Sequence, residues 1–291
     1  RFHDAAYVAA LREASTLGRV QPWMRERHGL GTLENPVFPG LYDRAALSVG
    51  GSILAAAHVA AGGSALHAPG GTHHGFRDHA SGFCFFSDPV FAILTLLDQG
   101  KRVLYVDLDA HHGDGVEAAF AGDRRVRTIS VHEEGRWPFT GLLQDEAGGT
   151  GFNLPVPARM NDNEFALIID GAVLSLARGF APDAVVITMG ADALAGDPLS
   201  SLAISNVALW RAVESLVACV PSAVVLGGGG YNPWTLARAW AGMWGRLSGQ
   251  PIPDHLPAAA KACLRGLTCD LVDEDEMQAD WLETLADAPR P

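Results

Sequence analysis

The stretch VLYVDLDAHHGDG, residues 103–115, begins as an apolar run and then places three aspartates and two histidines within nine positions. Its first half is rich in Val and Leu, which predicts a β-strand buried on both faces of a sheet. Ionised carboxylates are costly to bury unless a partner balances their charge. The charged residues that follow the apolar run therefore indicate a functional site at the end of the strand.

Other short apolar runs predict further strands, and longer segments with helical spacing separate them. The predicted strands are 64–71, 102–109, 126–132, 183–192 and 222–230. The predicted helices are 42–60, 89–99, 115–120, 163–178, 206–218 and 233–247. This alternation predicts an α/β fold in which helices cover both faces of a mostly parallel sheet.

The predicted strands end in residues that a buried core would exclude. HHGF follows the first strand, SVH ends the third, GAD ends the fourth and GGGGYN follows the last. Parallel sheets bind ligands in the crevice beyond the carboxyl ends of their strands. We therefore expect these segments to meet in one crevice.

Length and composition limit the classes of protein that remain. The chain has 291 residues, 48% of them hydrophobic, which suits one domain over 1–291. The net charge of −12 argues against direct binding of nucleic acid. No uninterrupted apolar stretch approaches the ~20 residues that span a membrane, so no membrane association is expected. The acidic, proline-rich region 251–291 predicts a surface helix and tail.

The four cysteines, which form no CxxC pattern, favour a reducing compartment, and we expect a cytoplasmic protein. The sequence does not indicate the oligomeric state.

Three residues form a candidate metal site. Asp109 and His111 follow the strand on one side of the sheet, and Asp192 ends the fourth strand. A catalytic zinc site takes three protein ligands and leaves one position open for water. The alternative, in which these groups cap helices or form ion pairs, suits a single aspartate but not the pattern across several strands.

The adjacent His73 and His74, after a glycine-rich turn, predict acid/base catalysis, since imidazole titrates near neutral pH. A single histidine is more often a hydrogen-bonded structural residue. Tyr231, after four glycines, is predicted to present its hydroxyl to the crevice, although an ordinary turn with a packed aromatic ring is a common alternative.

Taken together, five ordered motifs closely resemble the histone deacetylase family, in particular its bacterial class I-like branch, which includes acetoin-utilisation deacetylases. The likeness extends from about residue 29 to about residue 249. The motifs are GGTHHGFRDHASGFCFF (70–86), LYVDLDAHHGDGVEAAF (104–120), TISVH (128–132), GADALAGDP (190–198) and LGGGGYN (226–232).

The resemblance implies the arginase/deacetylase fold, a single domain with an eight-stranded parallel sheet, and hydrolysis of an N-acetyl amide, usually on lysine. By motif, it assigns Zn²⁺ to Asp109, His111 and Asp192. It also implies roles for catalytic residues, namely a general base His74 paired with Asp114, an electrostatic His73 paired with Asp107, and the carbonyl-binding Tyr231.

The resemblance further implies a narrow channel for the acyl-lysine side chain and a monovalent cation site, typically for K⁺. The channel residues are Gly82, Phe83, Trp137, Leu199 and Gly229. The cation site consists of Asp107, Asp109, His111, Ser130 and the carbonyl of Val131. Because two carboxylates and one imidazole form a hard ligand set, we also hypothesise that Fe²⁺ or Co²⁺ can replace zinc.

Several features depart from the family pattern. Ser87 replaces the usual Asn of the FCYxND segment, and Trp137 occupies a channel position that is most often Phe. The family's opening strand and arginine-bearing loop have no counterpart before Arg1. No motif selects the acidic residue that clamps a peptide backbone in some relatives, for which the candidates are Glu13, Glu26 and Glu34.

Three alternative functions remain open. The substrate is either an acetylated protein or a small acetylated amine such as an acetylpolyamine. A two-manganese ureohydrolase would need an Asp at position 113, where this chain has Gly, and a second late Asp that GAD lacks. A catalytically silent binding module would have lost an essential group, whereas every expected group is present.

Overall fold

The computed structural model describes residues 1–273 and 276–291, and the centre of the fold is a parallel β-sheet. The strands are β1 Gly63–His67, β2 Val103–Asp107, β3 Val126–Glu133, β4 Gly151–Val156, β5 Ala184–Thr188 and β6 Ser222–Leu226. They lie in the order β1-β6-β5-β2-β3-β4, and every neighbouring pair is parallel. The predicted α/β fold with a parallel sheet is confirmed.

The expected number of eight strands is wrong, since the sheet has six. The number eight came from the resemblance and not from the residues. Among the described residues, the segment before β1 folds into helices, and the segment after β6 forms only helices and loops. β4 was missed because it is a half-buried edge strand that contains Pro155, so it has no continuous apolar run.

Helices cover both faces of the sheet, as predicted. They are α1 Ala5–Leu17, α2 Pro22–His28, α3 Leu41–His58, α4 Asp88–Asp98, α5 Asp114–Phe120, α6 Asp162–Ile168, α7 Leu174–Phe180, α8 Asn206–Val217, α9 Pro233–Leu247 and α10 Ala258–Arg265. A π-helical turn, Ile169–Val173, joins α6 to α7, so the helix predicted over 163–178 is interrupted.

The central strands are buried on both faces, which explains their continuous apolar sequence. In β2, Leu104 and Val106 belong to one hydrophobic core. Val103 and Tyr105 of the same strand belong to a second core, which α3 and α4 cover. Alternate side chains of a strand point to opposite faces, so one short run of residues contributes to both cores.

The C-terminal region packs onto the domain more closely than a surface tail would. Helix α10 is mostly exposed and buries only Leu264. Trp281, however, is 1% exposed and belongs to the larger core. Its ring lies so close to Gly196 that a Cβ atom at that position would be 2.6 Å from the indole. The tail therefore supports the loop that carries Asp197.

Helix α3 and the turn after it, Leu41–Ala61, are long and apolar enough to cross a membrane by length and composition alone, with a mean hydropathy of 1.3. Such a segment was not expected from the sequence. Only 22% of its most apolar window is buried, and Leu47 and Leu54 are exposed. Because α3 packs against α4, β1 and β6 within the domain, this single helix is weak evidence for a membrane span.

The strand register brings the site residues to one edge of the sheet. Asp107, the last residue of β2, is aligned with Ser130 on β3 and Thr188 on β5. The loops that follow β2 and β5 therefore leave the sheet side by side. These loops carry Asp109, His111 and Asp192.

Candidate active site

The three residues proposed as metal ligands lie together at the carboxyl edge of the sheet. One ligand atom from each of Asp109, His111 and Asp192 lies within 4.8 Å of the other two, and all three residues are buried. His111 Nδ1 is 2.9 Å from Asp192 Oδ2 and 3.2 Å from Asp109 Oδ1. Two oxygen donors and one nitrogen donor that converge in this way form a possible divalent metal site.

Backbone amides hold the two carboxylates in place. Gly229 N donates to Asp109 Oδ2 at 2.7 Å, and Ala110 N donates to Asp192 Oδ1 at 3.0 Å. A Cβ atom at position 229 would lie 2.4 Å from Asp192 Oδ2, so only glycine lets the β6 loop approach this closely. The glycines after β6 are therefore required by the site.

The electrostatics of this cluster favour a bound cation. Burial lowers the pKa of His111, but the carboxylates of Asp109 and Asp192 outweigh burial and raise it to about 11. Burial and the neighbouring Asp109 charge raise the pKa of Asp192. Two carboxylates held this close in a dry site repel each other, and a divalent cation is the partner that would relieve the repulsion.

Each of the adjacent histidines pairs with its own carboxylate, as the resemblance implied. His73 Nδ1 lies 2.7 Å from Asp107 Oδ2, and His74 Nδ1 lies 2.8 Å from Asp114 Oδ1. Asp114 is the first residue of α5, where Gly115 N also donates to its Oδ1 at 2.8 Å. A carboxylate at Nδ1 fixes the orientation of the ring and leaves Nε2 available for chemistry.

The pKa values of the two histidines are shifted in opposite directions. Burial lowers the pKa of His73, but the charges of Asp107 and Asp109 outweigh burial and raise it to about 9. Burial and the charge of His73 lower the pKa of His74 to about 4, although Asp114 acts in the opposite direction. These opposite shifts favour the protonated form of His73 and the neutral form of His74. Such a divergence of neighbouring pKa values is a mark of acid/base sites.

Tyr231 lies at the same cavity as His74 and His111. Its backbone N donates to Asp197 Oδ2 at 2.7 Å, and Leu199 N donates to Asp197 Oδ1 at 2.9 Å. Burial, together with the charges of Asp192 and Asp109, raises the pKa of the Tyr231 phenol well above its ordinary value. The hydroxyl therefore remains protonated and can donate a hydrogen bond.

A cavity of about 550 Å³ opens above the site and contains most of the predicted channel residues. Its wall includes Gly82, Phe83, Trp137 and Leu199, and its floor includes His74, His111 and Tyr231. Gly229 does not line this cavity. It lines a second one of about 240 Å³ with His73, and the two cavities share His74, Gly82, Phe83 and Tyr231.

The indole of Trp137 packs against both the histidine and the glycine of the wall. Its ring centroid is 4.6 Å from that of His74, in an edge-to-face arrangement. A Cβ atom on Gly82 would lie 2.3 Å from the indole, and Gly82 has a φ of +50°. Both the lack of space and the backbone conformation therefore require glycine at this position. The larger ring at this position is accommodated by the small residue opposite.

The residues proposed for the monovalent cation lie at the end of β2 and β3. Asp107 and Ser130 are aligned neighbours, and Ser130 and Val131 are buried. Asp107 Oδ1 accepts from Asp109 N at 3.2 Å. Ser130 Oγ lies 2.9 Å from His132 Nδ1, a contact that the sequence did not predict.

Several buried residues that support the site were not predicted from the sequence. Tyr105 OH donates to Asp107 Oδ2 at 2.6 Å and lies 2.9 Å from Thr188 Oγ1. Asp88 is fully buried and accepts from the backbone N of Gly71 and Thr72, just before the histidine pair. Asp88 stands in the FCFFSD segment and Asp197 in the GADALAGDP motif, so the motifs could have indicated both.

These features define a class of protein. Buried carboxylates and an imidazole at the edge of a parallel sheet, beside a neutral histidine at the floor of an open cavity, are the arrangement of a metal-dependent hydrolase.

Comparison with known proteins identifies the family. The model of the histone deacetylase domain matches residues 1–247. The chain is 39% identical over 272 residues to the acetoin utilization protein AcuC of Bacillus subtilis. The aligned region covers 88% of this chain and 70% of AcuC. It is 38% identical over 267 residues to histone deacetylase 8 of Xenopus laevis, covering 87% of this chain and 82% of that protein.

Solved structures agree with this result. The crystal structure of a histone deacetylase homologue from Aquifex aeolicus has a TM-score of 0.94 and 35% identity, covering 99% of this chain and 80% of the other. A homologue complexed with SAHA has a TM-score of 0.93 and 35% identity over 100% of this chain and 80% of that chain. The chain belongs to the histone deacetylase family and is a metal-dependent deacetylase, a hydrolase that acts on amide C–N bonds. The resemblance seen in the sequence is confirmed.

Proposed function

We propose that this chain is a zinc-dependent amidohydrolase that removes acetyl groups from N-acetylated amines, above all from acetyl-lysine side chains of proteins. The observation that carries the proposal is the buried set of Asp109, His111 and Asp192, whose ligand atoms lie within 4.8 Å of one another. Two carboxylates and one imidazole are a ligand set that suits zinc and leaves a position open. A divalent ion held there would supply a Lewis acid and lower the pKa of the attacking water.

His74 is the proposed general base. Its Nδ1 proton is held by Asp114 at 2.8 Å, so Nε2 accepts a proton from the attacking water and later delivers it to the leaving amine. Its pKa of about 4 keeps the ring neutral at physiological pH. A neutral ring is the form that can accept a proton.

His73 and Tyr231 are proposed to stabilise the developing negative charge. His73, paired with Asp107 at 2.7 Å, stays protonated at neutral pH and supplies a positive charge next to His74. The Tyr231 hydroxyl is proposed to donate to the carbonyl oxygen of the acetyl group. A donor fixed in advance in a site that excludes water is effective because it needs no reorganisation during the reaction.

The proposed substrate channel explains why an unbranched amine would be accepted. Phe83, Trp137 and Leu199 supply apolar surface around the cavity, and Gly82 leaves room for the indole. A stem of methylene groups is stabilised by burial against such surface while its acetyl group reaches the floor. Gly229 is proposed to contribute through its backbone amide, which fixes Asp109.

Two further proposals concern ions. Asp107, Asp109, His111, Ser130 and Val131 are proposed to hold K⁺ close to the zinc, since Asp109 and His111 belong to both sites. Fe²⁺ or Co²⁺ is proposed to replace zinc. We also propose that the reaction takes place in the cytoplasm, which is consistent with the four free cysteines.

One observation also fits a small cationic amine as the alternative substrate. Glu34 and Glu134 line the cavity, and neither forms an ion pair with any residue that the structure describes. An acetylpolyamine carries ammonium groups that these carboxylates would attract. Basic residues that flank an acetyl-lysine would be attracted in the same way, so protein substrates remain our first choice.

Rates on acetylated peptides and on N-acetylputrescine, measured with and without a chelator, test the proposal. We expect chelator-sensitive hydrolysis with a higher kcat/KM for the peptides. His74→Asn should lower kcat by about 10²- to 10⁴-fold, while the matched change of the partly exposed His79 to Asn should leave it intact. Chelator-resistant hydrolysis would contradict the metal-dependent mechanism, and preference for N-acetylputrescine would select the alternative substrate.

A further inference from the structure

Arg136 connects two segments of the cavity wall that are far apart in sequence. Its Nε and Nη2 donate to the two oxygens of Glu133, at 2.6 and 2.8 Å. Its Nη1 donates to the backbone oxygen of Leu199 at 2.9 Å, and Nη2 also donates to Ser201 Oγ at 2.8 Å. One guanidinium therefore joins the loop after β3 to the loop at 197–201.

Glu133 is itself held firmly in place by hydrogen bonds. It is the last residue of β3, and its backbone N donates to Ala110 O at 2.9 Å, between two of the proposed metal ligands. Its Oε2 also accepts from Ser201 N at 2.8 Å. Burial raises the pKa of Glu133, but the hydrogen bonds from Arg136 and Ser201 outweigh burial and leave the pKa below its ordinary value. The carboxylate is thus ionised, and both of its oxygens accept hydrogen bonds.

Arg136 precedes Trp137, so the guanidinium links the segment bearing the indole to the segment bearing Leu199. Both side chains line the same cavity. The far end of the Trp137 segment is fixed independently, because His112 Nδ1 lies 2.9 Å from Thr140 Oγ1 and His132 Nε2 lies 2.9 Å from Gly141 O. Removing Arg136 would therefore break the side-chain connection between the Trp137 segment and Leu199, whose backbone N would still donate to Asp197 Oδ1.

Arginine is the residue type that this connection requires. A guanidinium carries five N–H donors in a planar fork, so it can bind a carboxylate bidentately and still donate to two other acceptors. A lysine ammonium at the same place would keep the charge but could not match the four acceptor atoms with fixed geometry. The side chain of Arg136 is only 26% exposed and that of Glu133 only 6%, so solvent screens the pair weakly.

We propose that Arg136 is a positioning residue that fixes Trp137 and Leu199 relative to each other and thereby restricts the cavity to unbranched alkylamine stems. This inference rests on the proposed function, since it assigns the selectivity of the same cavity. The guanidinium donates to Glu133, Leu199 and Ser201, none of which is a proposed catalytic residue or metal ligand. The effect of Arg136 is therefore on the shape of the channel and not on the chemical step.

The test compares wild type, Arg136→Lys, Glu133→Gln and the double variant on two acetylated substrates. One is an acetyl-lysine peptide, and the other is the same peptide with a 4-(aminomethyl)phenyl group in place of the butyl stem. We expect Arg136→Lys to raise kcat/KM for the aromatic stem relative to the linear stem by about tenfold, mainly through KM. Glu133→Gln should act in the same direction, and the two changes should be non-additive because they break one connection.

Arg125→Lys is the matched control, because Arg125 pairs with Asp123 on the surface with a side chain 65% exposed. It should leave the selectivity ratio unchanged. An equal loss on both substrates in Arg136→Lys would overturn the proposal while leaving the deacetylase function intact.

A binding measurement removes the dependence on turnover. Calorimetric titration with a linear alkyl hydroxamate and with a 4-substituted benzohydroxamate measures the width of the channel directly. We expect Arg136→Lys to improve binding of the benzohydroxamate relative to the linear compound by a similar factor. An unchanged affinity ratio would overturn the proposal, whereas absent turnover in wild type with a changed affinity ratio would overturn only the proposed reaction.

Discussion

The ring centroids of His73 and His74 lie 3.9 Å apart, yet the pKa of His73 is raised to about 9 and that of His74 is lowered to about 4. Two imidazoles in contact cannot both be protonated at low cost, and the flanking carboxylates decide which of them holds the proton. Asp109 and Asp114 raise the pKa of both rings, but only His73 also has Asp107 as a hydrogen-bonded partner, and burial together with the charge of His73 lowers the pKa of His74. The pair is therefore divided into an acid and a base before any substrate binds.

This division predicts the pH dependence of the reaction. Activity needs neutral His74, so it should fall as the pH decreases towards about 4, and it needs protonated His73, so it should fall as the pH rises towards about 9. A divalent cation next to Asp109 would lower the pKa of His73 by repulsion, which places the alkaline limit at or below that value. The profile of log(kcat/KM) against pH measures both limits.

Asp107→Asn should move the alkaline limit to lower pH, because Asp107 raises the pKa of His73. The exposed pair of Asp123 with Arg125 offers the control Asp123→Asn, which should leave the profile unchanged. An alkaline limit that does not move in Asp107→Asn would show that His73 does not govern it.

Tyr231→Phe should lower kcat by about 10²- to 10³-fold, the usual effect of removing one hydrogen-bond donor to an oxyanion. Metal content should stay the same, since the phenol is not a proposed ligand. Tyr42→Phe is the control, because Tyr42 OH accepts from Arg12 at the surface, away from the cavity. Unchanged deacetylation by Tyr231→Phe would contradict the role proposed for the hydroxyl.

Removal of the metal should abolish activity, and added Zn²⁺ should restore it. Asp192→Asn replaces one of the two ligand carboxylates and should lower metal content measured by elemental analysis at fixed free zinc. Asp170→Asn is the control, since Asp170 is 55% exposed and pairs loosely with Arg211. Restoration by Zn²⁺ but not by Fe²⁺ or Co²⁺ would refute the proposed metal exchange.

Asp88→Asn should lower the free energy of unfolding by about 3 kcal/mol, because one of the two buried carboxylate oxygens becomes an NH₂ group that faces other donors. Asp88 accepts from Gly71 N, Thr72 N and Ser52 Oγ in a site that water does not reach. Urea unfolding measures the change. Asp98→Asn, at a side chain 57% exposed, should stay within about 0.5 kcal/mol of wild type, and equal effects of the two changes would disprove the buried role.

Burial raises the pKa of the Cys84 thiol well above its ordinary value, so this cysteine should resist alkylation in the folded protein. Cys219 and Cys263 are exposed and should react with iodoacetamide at pH 8. Mass spectrometry of the native and urea-unfolded protein measures the modification of each cysteine. Rapid labelling of native Cys84 would contradict the protection that burial is expected to give.

The sequence predicted the strands that form the centre of the sheet because each is a short run buried on both faces. It could not reveal β4, an edge strand whose buried and half-buried residues do not alternate regularly and include Pro155. The expectation of eight strands was carried over from relatives, and the described part of this chain forms six.

The local motifs also indicated the candidate site. Asp109 and His111 stand two positions apart in one motif, and His73 and His74 are adjacent. A short stretch of sequence is therefore enough to suggest a metal site and an acid/base pair. The glycines before Tyr231 are equally visible, but only the structure shows that Gly229 must approach Asp192 and Asp109 without a Cβ atom.

By itself, the sequence determined the chemical groups of this protein and their order along parallel strands, because strand period and residue type are local properties. The tertiary structure alone decided which distant groups meet, such as Arg136 with Leu199 or Asp197 with Tyr231. Such contacts join residues more than thirty positions apart. These long-range contacts depend on how the loops leave the sheet and pack, and that packing cannot be predicted from a local sequence pattern.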